Sequence, residues 1–299
     1  MILVTGANGQ LGRCLMELLP LDQVKLTDVV AATENNRIVE ALDITDLNAV
    51  KAYVSDNSID CIVNCAAYTA VDKAEDEVGL ATKINVDGPK NLALSGAKTV
   101  IHVSTDYVFD GTAHKPLIPE DKTNPVSVYG KTKLEGEQQL LANAKGNAII
   151  IRTAWLYSIY GNNFVKTMQR LGKERAELNV VADQVGTPTL ANDLASTIVT
   201  ILNNLQAKQN QDQNQKPTDF IKEVYHFSNE GVCSWYDFAK AIMKLSKLAC
   251  KVNPIPTEAY PTKATRPYYS VLDKTKIKND FGVDVPYWLD SLEKYVEAF

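Results

Sequence analysis

Residues 1–12, Met-Ile-Leu-Val-Thr-Gly-Ala-Asn-Gly-Gln-Leu-Gly, decide the fold of this chain. A short apolar run, typical of a buried strand, leads into Gly6, Gly9 and Gly12. A strand that ends at a glycine-rich turn and continues into a helix directs free N–H groups and the positive end of the helix dipole at one point, where a pyrophosphate binds. The third glycine lets the helix pack close to the sheet. The stretch therefore predicts a dinucleotide site, and an ordinary tight turn is the alternative.

Two acidic residues extend this prediction. The Gly-x-x-Gly-x-x-Gly spacing is typical of the short-chain dehydrogenase/reductase branch of Rossmann folds. Asp28 ends a second apolar run, where a carboxylate accepts hydrogen bonds from the adenosine ribose, although an acid there also caps turns. It favours NADH, because a 2′-phosphate needs a cation and none follows before Arg37; use of both NADH and NADPH stays open. Asp43 follows another apolar segment and is expected near the adenine.

The composition indicates a compact soluble protein with a small-molecule partner. The chain has 299 residues, of which 45% are apolar and 22% charged, so it can bury a large core. A net charge of −5 argues against nucleic acid or an anionic membrane as partner. The five cysteines are odd in number and lack a Cys-x-x-Cys pair, which argues against a disulfide framework and a zinc site. With no leader segment and no long apolar run, a cytoplasmic location is expected.

Short apolar runs alternate with amphipathic stretches, which predicts an α/β fold: a Rossmann-type doubly wound parallel sheet with a smaller C-terminal α/β substrate-binding region. We expect residues 1–152 and about 186–225 to form the dinucleotide-binding domain, and 153–185 with about 226–299 the substrate region. The glutamine-rich tract 206–217 is predicted to be an exposed loop. Predicted strands are 2–5, 24–27, 61–64, 99–104, 148–152 and 224–227. Predicted helices are 11–19, 47–54 (capped by Thr45 or Asp46), 79–94, 128–141, 235–245 and 288–296.

Tyr129 and Lys133 are the candidate catalytic pair. They are four residues apart and therefore share one helix face. An ammonium beside a phenol lowers the pKa of the tyrosine, which fits it to exchange a proton with a carbonyl oxygen. Tyr236 and Lys240 have the same spacing, but no strand ending in hydroxyl residues precedes them. Ser104 and Thr105 end such a strand before Tyr129, and a hydroxyl there can bind the reacting oxygen.

The order of motifs resembles the extended short-chain dehydrogenases and, more narrowly, the dTDP-4-dehydrorhamnose reductases. The resemblance runs nearly end to end and includes Asn-Cys-Ala-Ala, Ser-Thr-Asp-Tyr-Val-Phe and Tyr-Gly-Lys-Thr-Lys at 64–67, 104–109 and 129–133. Its most specific parts are Ala-Tyr-Thr-Ala-Val-Asp-Lys-Ala-Glu (67–75), Arg-Thr-Ala-Trp-Leu-Tyr (152–157), Gly-Asn-Asn-Phe-Val-Lys-Thr-Met (161–168), Asp-Gln-Val-Gly-Thr-Pro-Thr (183–189) and Arg-Pro-Tyr-Tyr-Ser-Val-Leu-Asp (266–273).

The resemblance implies reduction of the C4 ketone of dTDP-4-dehydro-6-deoxy-L-mannose to dTDP-L-rhamnose, a precursor of bacterial surface polysaccharide. Tyr129 would donate the proton, Lys133 would tune Tyr129 and hold the nicotinamide ribose, and Thr105 would bind the oxygen. The implied substrate contacts are Thr105, Asp106 and Trp155, with Asn163, Lys166 and Arg266 added for the sugar or diphosphate; Trp155 could instead belong to the core. The implied cofactor surface is Gly6, Gly9, Gln10, Leu11, Gly12, Asp28, Asp43, Ile44, Cys65, Ala66, Ala67, Val103, Tyr129 and Lys133.

Departures from the family pattern and other enzyme classes leave alternatives. Some relatives dimerise through a metal held by acidic residues, and Cys14 and Asn192 occupy two of those positions here, so we expect no metal and either a monomer or a homodimer. A nucleotide-sugar dehydratase needs an acid after Thr105 and Asp106, where this chain has Tyr107. Another nucleotide-sugar reductase, an epimerase, which would not consume NADH, and a non-catalytic relative of the methionine adenosyltransferase regulatory subunit remain alternatives.

Overall fold

The computed structural model describes residues 1–34, 37–211 and 220–297. Its strands are β1 Ile2–Thr5, β2 Val24–Asp28, β3 Ala32–Glu34, β4 Arg37–Ala41, β5 Cys61–Asn64, β6 Thr99–Thr105, β7 Asn147–Thr153, β8 Leu156–Tyr157, β9 Glu177–Val181, β10 Val185–Gly186, β11 Thr189–Leu190, β12 Lys222–His226, β13 Cys233–Ser234 and β14 Lys251–Ile255. Its helices are α1 Gln10–Leu18, α2 Leu47–Asp56, α3 Val71–Ala74, α4 Val78–Thr82, α5 Gly88–Ala93, α6 Val128–Asn143, α7 Phe164–Glu174, α8 Ala191–Gln211, α9 Trp235–Leu245, α10 Thr275–Phe281 and α11 Trp288–Glu297.

The main sheet has the order β12-β7-β6-β5-β1-β2-β4-β3. All neighbouring strands pair in parallel except the edge strand β3, which is antiparallel to β4. β1 lies in the interior, where Ile2 aligns with Val24 on one side and with Cys61 on the other. The chain moves outward from β1 in one direction and then in the other, which places a topological switch point between β1 and β5. The predicted doubly wound parallel sheet is confirmed.

Both faces of this sheet are covered by helices, so its strands are apolar on both sides. On one face, Val4, Ile101 and Ile149 pack with the apolar faces of α1 and α8. On the other face, Leu3 and Ile62 pack with apolar residues of α2, α5 and α6. Alternate residues of one strand thus pack against helices on opposite faces of the sheet. The resulting helix–sheet–helix sandwich keeps the carboxyl ends of the parallel strands along one edge of the sheet.

A second apolar cluster lies beside the main sheet. Parallel strands β9 and β14 pair there, and apolar residues of α7, α9 and α11 pack around Phe238 and Leu292. Helix α10 lies between α9 and α11 in the chain but packs elsewhere: its Ile277 and Phe281 belong to the core of the main sheet. The predicted division into two domains stays a prediction, and α10 shows that the C-terminal region contributes to both cores.

Sequence periodicity located most of the elements that build the site. Strands β1 and β5 and helix α9 have the predicted bounds, and Asp46 caps α2 by accepting hydrogen bonds from Asn48 and Ala49. The predicted helix 79–94 is instead interrupted by a π-helical turn at Lys83–Asp87. The turn contains Asn85, whose side-chain amide accepts a hydrogen bond from the backbone N–H of Tyr68 and donates one to its carbonyl oxygen. Hydrophobic periodicity does not show this non-local contact.

The prediction of an exposed loop at 206–217 was wrong for its first half. Residues 206–211 continue α8, and residues 212–217 lie outside the described part of the chain. The apolar face of α8, which includes Ile201 and Leu205, packs on the main core. Because this packing stabilises the helix, α8 continues into the polar tract. Among the described residues, no helix combines the length and the apolar character that crossing a membrane requires.

Candidate active site

The glycine-rich turn joins β1 to α1 at the switch point of the sheet. Gly6 has a φ of +69°, and a Cβ there would lie 2.5 Å from the backbone nitrogen of Ala66. A Cβ on Gly12 would lie 2.4 Å from the carbonyl oxygen of Gly6, so only glycine lets α1 begin this close to the strand. Gly9 is the N-cap of α1 and has no capping side chain, which leaves the helix N-terminus open to an anion. This cradle fits a dinucleotide pyrophosphate.

Asp28 lies beside this turn, at the end of β2. Its carboxylate accepts hydrogen bonds from the backbone N–H groups of Asn8 and Val29, at 3.0 and 2.7 Å. These contacts fix the carboxylate at the rim of the cleft and leave lone pairs for further donors, such as ribose hydroxyls. Asp43 and Lys83 line the cleft as well.

A cleft of about 780 Å³ runs from the glycine-rich turn along the carboxyl ends of the central strands. This volume lies within the usual range for a ligand site. Tyr129, Lys133 and Thr105 line the cleft, as do all fourteen predicted cofactor residues. Of the predicted substrate contacts, Thr105, Asp106 and Trp155 line it. The predicted cofactor and catalytic residues therefore lie together in this one cleft.

Helix α6 places Tyr129 and Lys133. Ser127 caps the helix by accepting a hydrogen bond from the N–H of Gly130. Gly130 allows a close approach, because a Cβ there would lie 2.2 Å from the carbonyl oxygen of Tyr107. Tyr107 in turn packs edge-to-face on Tyr129, with ring centroids 5.4 Å apart. The start of α6 is thereby held against the segment that follows β6, and Tyr129 lies beside Thr105.

The electrostatics of Tyr129 differ from the sequence prediction. Burial raises its pKa above the usual value, and a hydrogen bond with Thr105 only partly opposes this shift. The prediction that Lys133 lowers this pKa towards neutrality was wrong, because desolvation of the phenol is the dominant effect. Burial also lowers the pKa of Lys133, to about 8. Tyr129 is therefore protonated at neutral pH, which is the form that a proton donor needs.

Asp106 is a buried carboxyl group at the floor of the cleft. One of its oxygens accepts a hydrogen bond from Thr105 at 3.1 Å, whereas the other, Oδ2, has no partner of good hydrogen-bond geometry among the described residues, although the Ser270 hydroxyl lies close enough to lower the pKa of the carboxyl group. Burial raises its pKa to about 6. A buried polar atom without a partner is uncommon in folded proteins, and one that lines a cleft indicates a ligand group. A hydroxyl or N–H donor of a ligand would satisfy it.

Trp155 forms part of the wall of the cleft. Its φ of +49° is strained for a residue with a side chain, and its ring stacks on Trp235 with centroids 3.6 Å apart. It is partly buried, and it touches the second apolar cluster. Trp155 thus packs partly against the protein interior and also lines the cleft, and its contact with a ligand stays a prediction.

Comparison with known proteins identifies the family. The family model described as the RmlD substrate binding domain matches residues 1–299. A dTDP-4-dehydrorhamnose reductase of Aggregatibacter actinomycetemcomitans is 41% identical, over 100% of this chain and 98% of the relative. The chain belongs to the dTDP-4-dehydrorhamnose reductase family. The family and the enzyme class, an oxidoreductase, that the motifs predicted are therefore confirmed.

Solved structures of the family agree with this fold. A dTDP-4-dehydrorhamnose reductase of Clostridium acetobutylicum is 43% identical and superposes with a TM-score of 0.85, covering 99% of this chain and 98% of the other. A dTDP-4-dehydrorhamnose reductase of Bacillus anthracis, solved in complex with NADP, is 38% identical with a TM-score of 0.85, covering 100% and 99%.

Three predicted substrate contacts lie just outside the cleft lining. Asn163 caps α7 and donates a hydrogen bond to Gln10 at 3.1 Å, and Gln10 lines the cleft. Lys166 donates to the carbonyl oxygen of Gly161, at 3.0 Å. Arg266 pairs with Asp72 at 2.6 Å and donates to the Tyr107 hydroxyl at 3.0 Å. Each of the three thus contacts a residue that lines the cleft or adjoins one that does, and their direct role in binding stays a prediction.

Sequence reasoning did not single out several lining residues. The sequence gives Tyr107 a role only as the residue that replaces a dehydratase acid, yet in the structure Tyr107 packs on Tyr129. Its place in Ser-Thr-Asp-Tyr, beside two predicted contacts, was a usable signal. The segment that contains Lys83 gave none, because its π-helical turn departs from the helical period. The other lining residues that were not predicted include Thr45, Thr69, Val71, Leu80, Ile84, Ala154 and Asn162.

Cys14 and Asn192, the two positions where acidic metal ligands were expected in some relatives, are in contact. The Sγ of Cys14 is buried and lies 3.5 Å from Oδ1 of Asn192. Burial raises the pKa of this thiol to about 12, so it is a neutral group in a neutral pair.

Proposed function

We propose that this chain reduces the C4 ketone of dTDP-4-dehydro-6-deoxy-L-mannose to dTDP-L-rhamnose with NADH or NADPH. The observation that carries the proposal is the single cleft that joins a glycine-rich dinucleotide cradle to Tyr129, Thr105 and the unpartnered Oδ2 of Asp106. The names of the full-length relatives support the same reaction. A soluble reductase of this kind would work in the cytoplasm, as a monomer or a homodimer.

Residues of the chain divide the work along the cleft. A nicotinamide cofactor bound along Tyr129 and Lys133 would supply hydride for C4 of the sugar. Tyr129 then gives its phenolic proton to the oxygen that becomes the C4 hydroxyl, a contribution of about 10²- to 10⁴-fold in rate. Thr105 holds that oxygen beside Tyr129, and Asp106 accepts a hydrogen bond from a sugar hydroxyl. Trp155 forms the apolar wall against which a sugar ring packs.

The proposed cofactor range rests on the surroundings of Asp28. The cleft-lining residues on this side include Asp28, Val29 and Asp43, and a carboxylate there favours a ribose with free hydroxyls. The Bacillus anthracis relative was nevertheless solved with NADP. Lys83 lines the cleft near Asp43, whose pKa is lowered mainly by hydrogen bonds with Thr45, against the effect of burial, and to a smaller extent by the charge of Lys83, so a cation is available on the adenosine side. We therefore propose use of both cofactors.

Dehydration, one of the alternatives, requires a group that this cleft lacks among its described residues, and epimerisation differs in its use of cofactor. Dehydration needs an acid beside Thr105 and Asp106, but the next residue, Tyr107, is a neutral phenol that accepts a hydrogen bond from Arg266. Burial raises the pKa of Tyr107, which keeps it neutral. An epimerase would return its hydride to the sugar and would show no net consumption of cofactor.

The test is an assay of cofactor oxidation by the purified protein, with dTDP-4-dehydro-6-deoxy-L-mannose generated in the same tube. We expect one NADH or NADPH oxidised per dTDP-L-rhamnose formed, with the product identified by mass spectrometry and NMR. Consumption of substrate without cofactor oxidation would instead indicate epimerisation. Absence of turnover with both cofactors, although substrate is demonstrably present, would reject the proposal and favour a binding role.

A further inference from the structure

Three buried polar side chains form a continuous row behind the cleft. They are Asn64 at the end of β5, His102 in β6 and Lys133 in α6, and each is at most 1% exposed. Nδ2 of Asn64 lies 2.9 Å from Nδ1 of His102, and Nε2 of His102 lies 3.3 Å from Nζ of Lys133. Of these three side chains, only that of Lys133 lines the cleft.

The direction of the first hydrogen bond is fixed by the neighbours of Asn64. Its Oδ1 accepts from the backbone N–H of Ala66 at 3.1 Å and from the hydroxyl of Thr5 at 2.7 Å. A backbone N–H can only donate, so the oxygen of the amide must face Ala66. The NH₂ group, which has no acceptor capacity, therefore faces His102 and donates to Nδ1.

The tautomer of His102 follows from this contact. A ring nitrogen that accepts a hydrogen bond carries no proton, and burial keeps the pKa of His102 far below its usual value, so the ring is neutral. Its one N–H is then on Nε2, where it faces the nitrogen of Lys133. The imidazole acts as a donor towards the lysine.

Lys133 meets this donor in a fixed position. Its Nζ donates to the carbonyl oxygen of Val103 at 2.7 Å, which holds the nitrogen between β6 and the cleft. An ammonium has three N–H groups and no lone pair, so an ammonium at this place would oppose N–H to N–H. A neutral amine can accept the proton of His102 and still donate to Val103.

Other ionisable groups near Lys133 do not replace this contact. Cys65, after β5, is partly buried, and desolvation raises its pKa, so its thiol is uncharged. Glu137, on α6, favours the ammonium but is paired with Arg152 at 2.7 Å. Tyr129, on the same helix face, is a neutral phenol at pH 7.

We propose that His102 is a positioning residue for Lys133: held by Asn64 with its proton on Nε2, it donates to the lysine nitrogen and favours the amine over the ammonium. The proposal deepens the proposed function, on which its catalytic meaning rests. Its consequence is that Lys133 loses its proton close to physiological pH. Affinity for an anionic dinucleotide then falls as pH rises through the pKa of Lys133, because the cleft loses a positive charge.

The first experiment reads the tautomer of His102 in the cofactor-free protein by long-range ¹H–¹⁵N NMR of the imidazoles. The chain has three histidines, and His226 is an internal control, because its Nδ1 lies 3.0 Å from the carbonyl oxygen of Leu117 and must carry the proton. We expect His102 to show a bare Nδ1 and a protonated Nε2 from pH 5 to pH 9, and His226 the reverse. A proton on Nδ1 of His102, or its titration within this range, would overturn the proposal.

The second experiment compares His102→Asn with His102→Gln. Asparagine can still accept from Asn64 but does not reach Lys133, whereas glutamine can place an N–H near the position of Nε2. The readout is the Kd for NADH against pH, measured by fluorescence without substrate. We expect the midpoint of the pH dependence to rise by about one pH unit in His102→Asn and to stay near wild type in His102→Gln.

A further variant tests whether Lys133 is the group that titrates at this midpoint of NADH binding. Lys133→Met should lose it, since the titrating group is gone. Equal midpoints in wild type and His102→Asn, with both folded by circular dichroism, would contradict the role of His102. Should the variants not fold, the imidazole spectrum of the wild-type protein still decides. Both readouts are independent of turnover, so failure of the reductase assay and failure of this proposal are distinguishable.

Discussion

Helices α6 and α9 carry the same Tyr-x-x-x-Lys spacing in different surroundings. On α6, Lys133 is 1% exposed, and Tyr129 and Lys133 both line the cleft. On α9, Lys240 is exposed and Tyr236 is partly buried, and neither lines the cleft. Helical spacing places two side chains on one face in both cases. Chemistry depends on what that face meets, and only α6 begins beside the carboxyl ends of the central parallel strands.

The two helices are also anchored differently. Glu137 on α6 forms a buried ion pair with Arg152 of β7 and accepts a hydrogen bond from Ser104. Helix α9 is anchored by a capping box, in which Ser234 and Asp237 bond each other's backbone N–H groups. The helix that bears the candidate catalytic pair is therefore fixed to the sheet by charge, and the other helix mainly by its cap and its apolar face.

Removing the tyrosine hydroxyl from each helix tests most directly whether only α6 carries catalytic chemistry. We expect Tyr129→Phe to lower kcat by about 10²- to 10⁴-fold, because the proton donor is lost, with little change in the Kd for NADH. Tyr236→Phe is the matched control and should keep wild-type kcat. Stopped-flow or steady-state oxidation of NADH measures both. Equal rates in wild type and Tyr129→Phe would remove this tyrosine from the mechanism, and a large loss in Tyr236→Phe would invalidate the comparison.

A second test concerns the anchors. Glu137→Ala should lower the free energy of unfolding by about 3–5 kcal/mol, because Arg152 is left as a buried charge without its partner. Asp237→Ala removes one half of the capping box and should cost about 1 kcal/mol. Urea denaturation followed by circular dichroism compares the two. A loss for Glu137→Ala no larger than that for Asp237→Ala would show that the ion pair does not anchor α6.

The sequence predicted those parts of the site that local geometry demands. The role of Gly6 in the turn could be predicted because its backbone conformation and the close approach of Ala66 exclude a side chain. Tyr129 and Lys133 were readable because a helix repeats every 3.6 residues. Their place in one cleft followed from the rule that parallel strands present their carboxyl ends at one edge.

Other features depend on contacts between distant segments. The guanidinium of Arg266 pairs with Asp72, which is 194 positions away in the chain, and no local pattern records this competition. Asn163 was predicted to bind substrate, but its side chain caps α7 and bonds Gln10. The raised pKa of Tyr129 likewise depends on how deeply the folded cleft buries the phenol, a quantity that residue spacing does not contain.

The smallest expected effect is on the pH dependence of the free energy of unfolding, for which Lys133 on α6 is compared with Lys240 on α9. Burial lowers the pKa of Lys133 to about 8, below its value of about 10.4 in an unfolded chain. Below pH 8 the folded protein holds a buried ammonium, a cost that disappears as pH rises from about 8 to 10.4, so wild-type stability should increase over that window. Lys133→Met lacks this cost but leaves the carbonyl oxygen of Val103 without its donor.

At pH 7 we therefore expect Lys133→Met to be more stable than wild type by about 1–2 kcal/mol, and above about pH 10, where the wild-type lysine is neutral, to be less stable by about 1–2 kcal/mol because the Val103 carbonyl has lost its donor. Lys240→Met, on the exposed face of α9, should match wild type at every pH. Thermal and urea unfolding from pH 6 to pH 10 measure both variants. A pH-independent difference for Lys133→Met would mean that its ammonium is not the destabilised group. The buried lysine would then differ from the exposed one in its contacts alone and not in its charge.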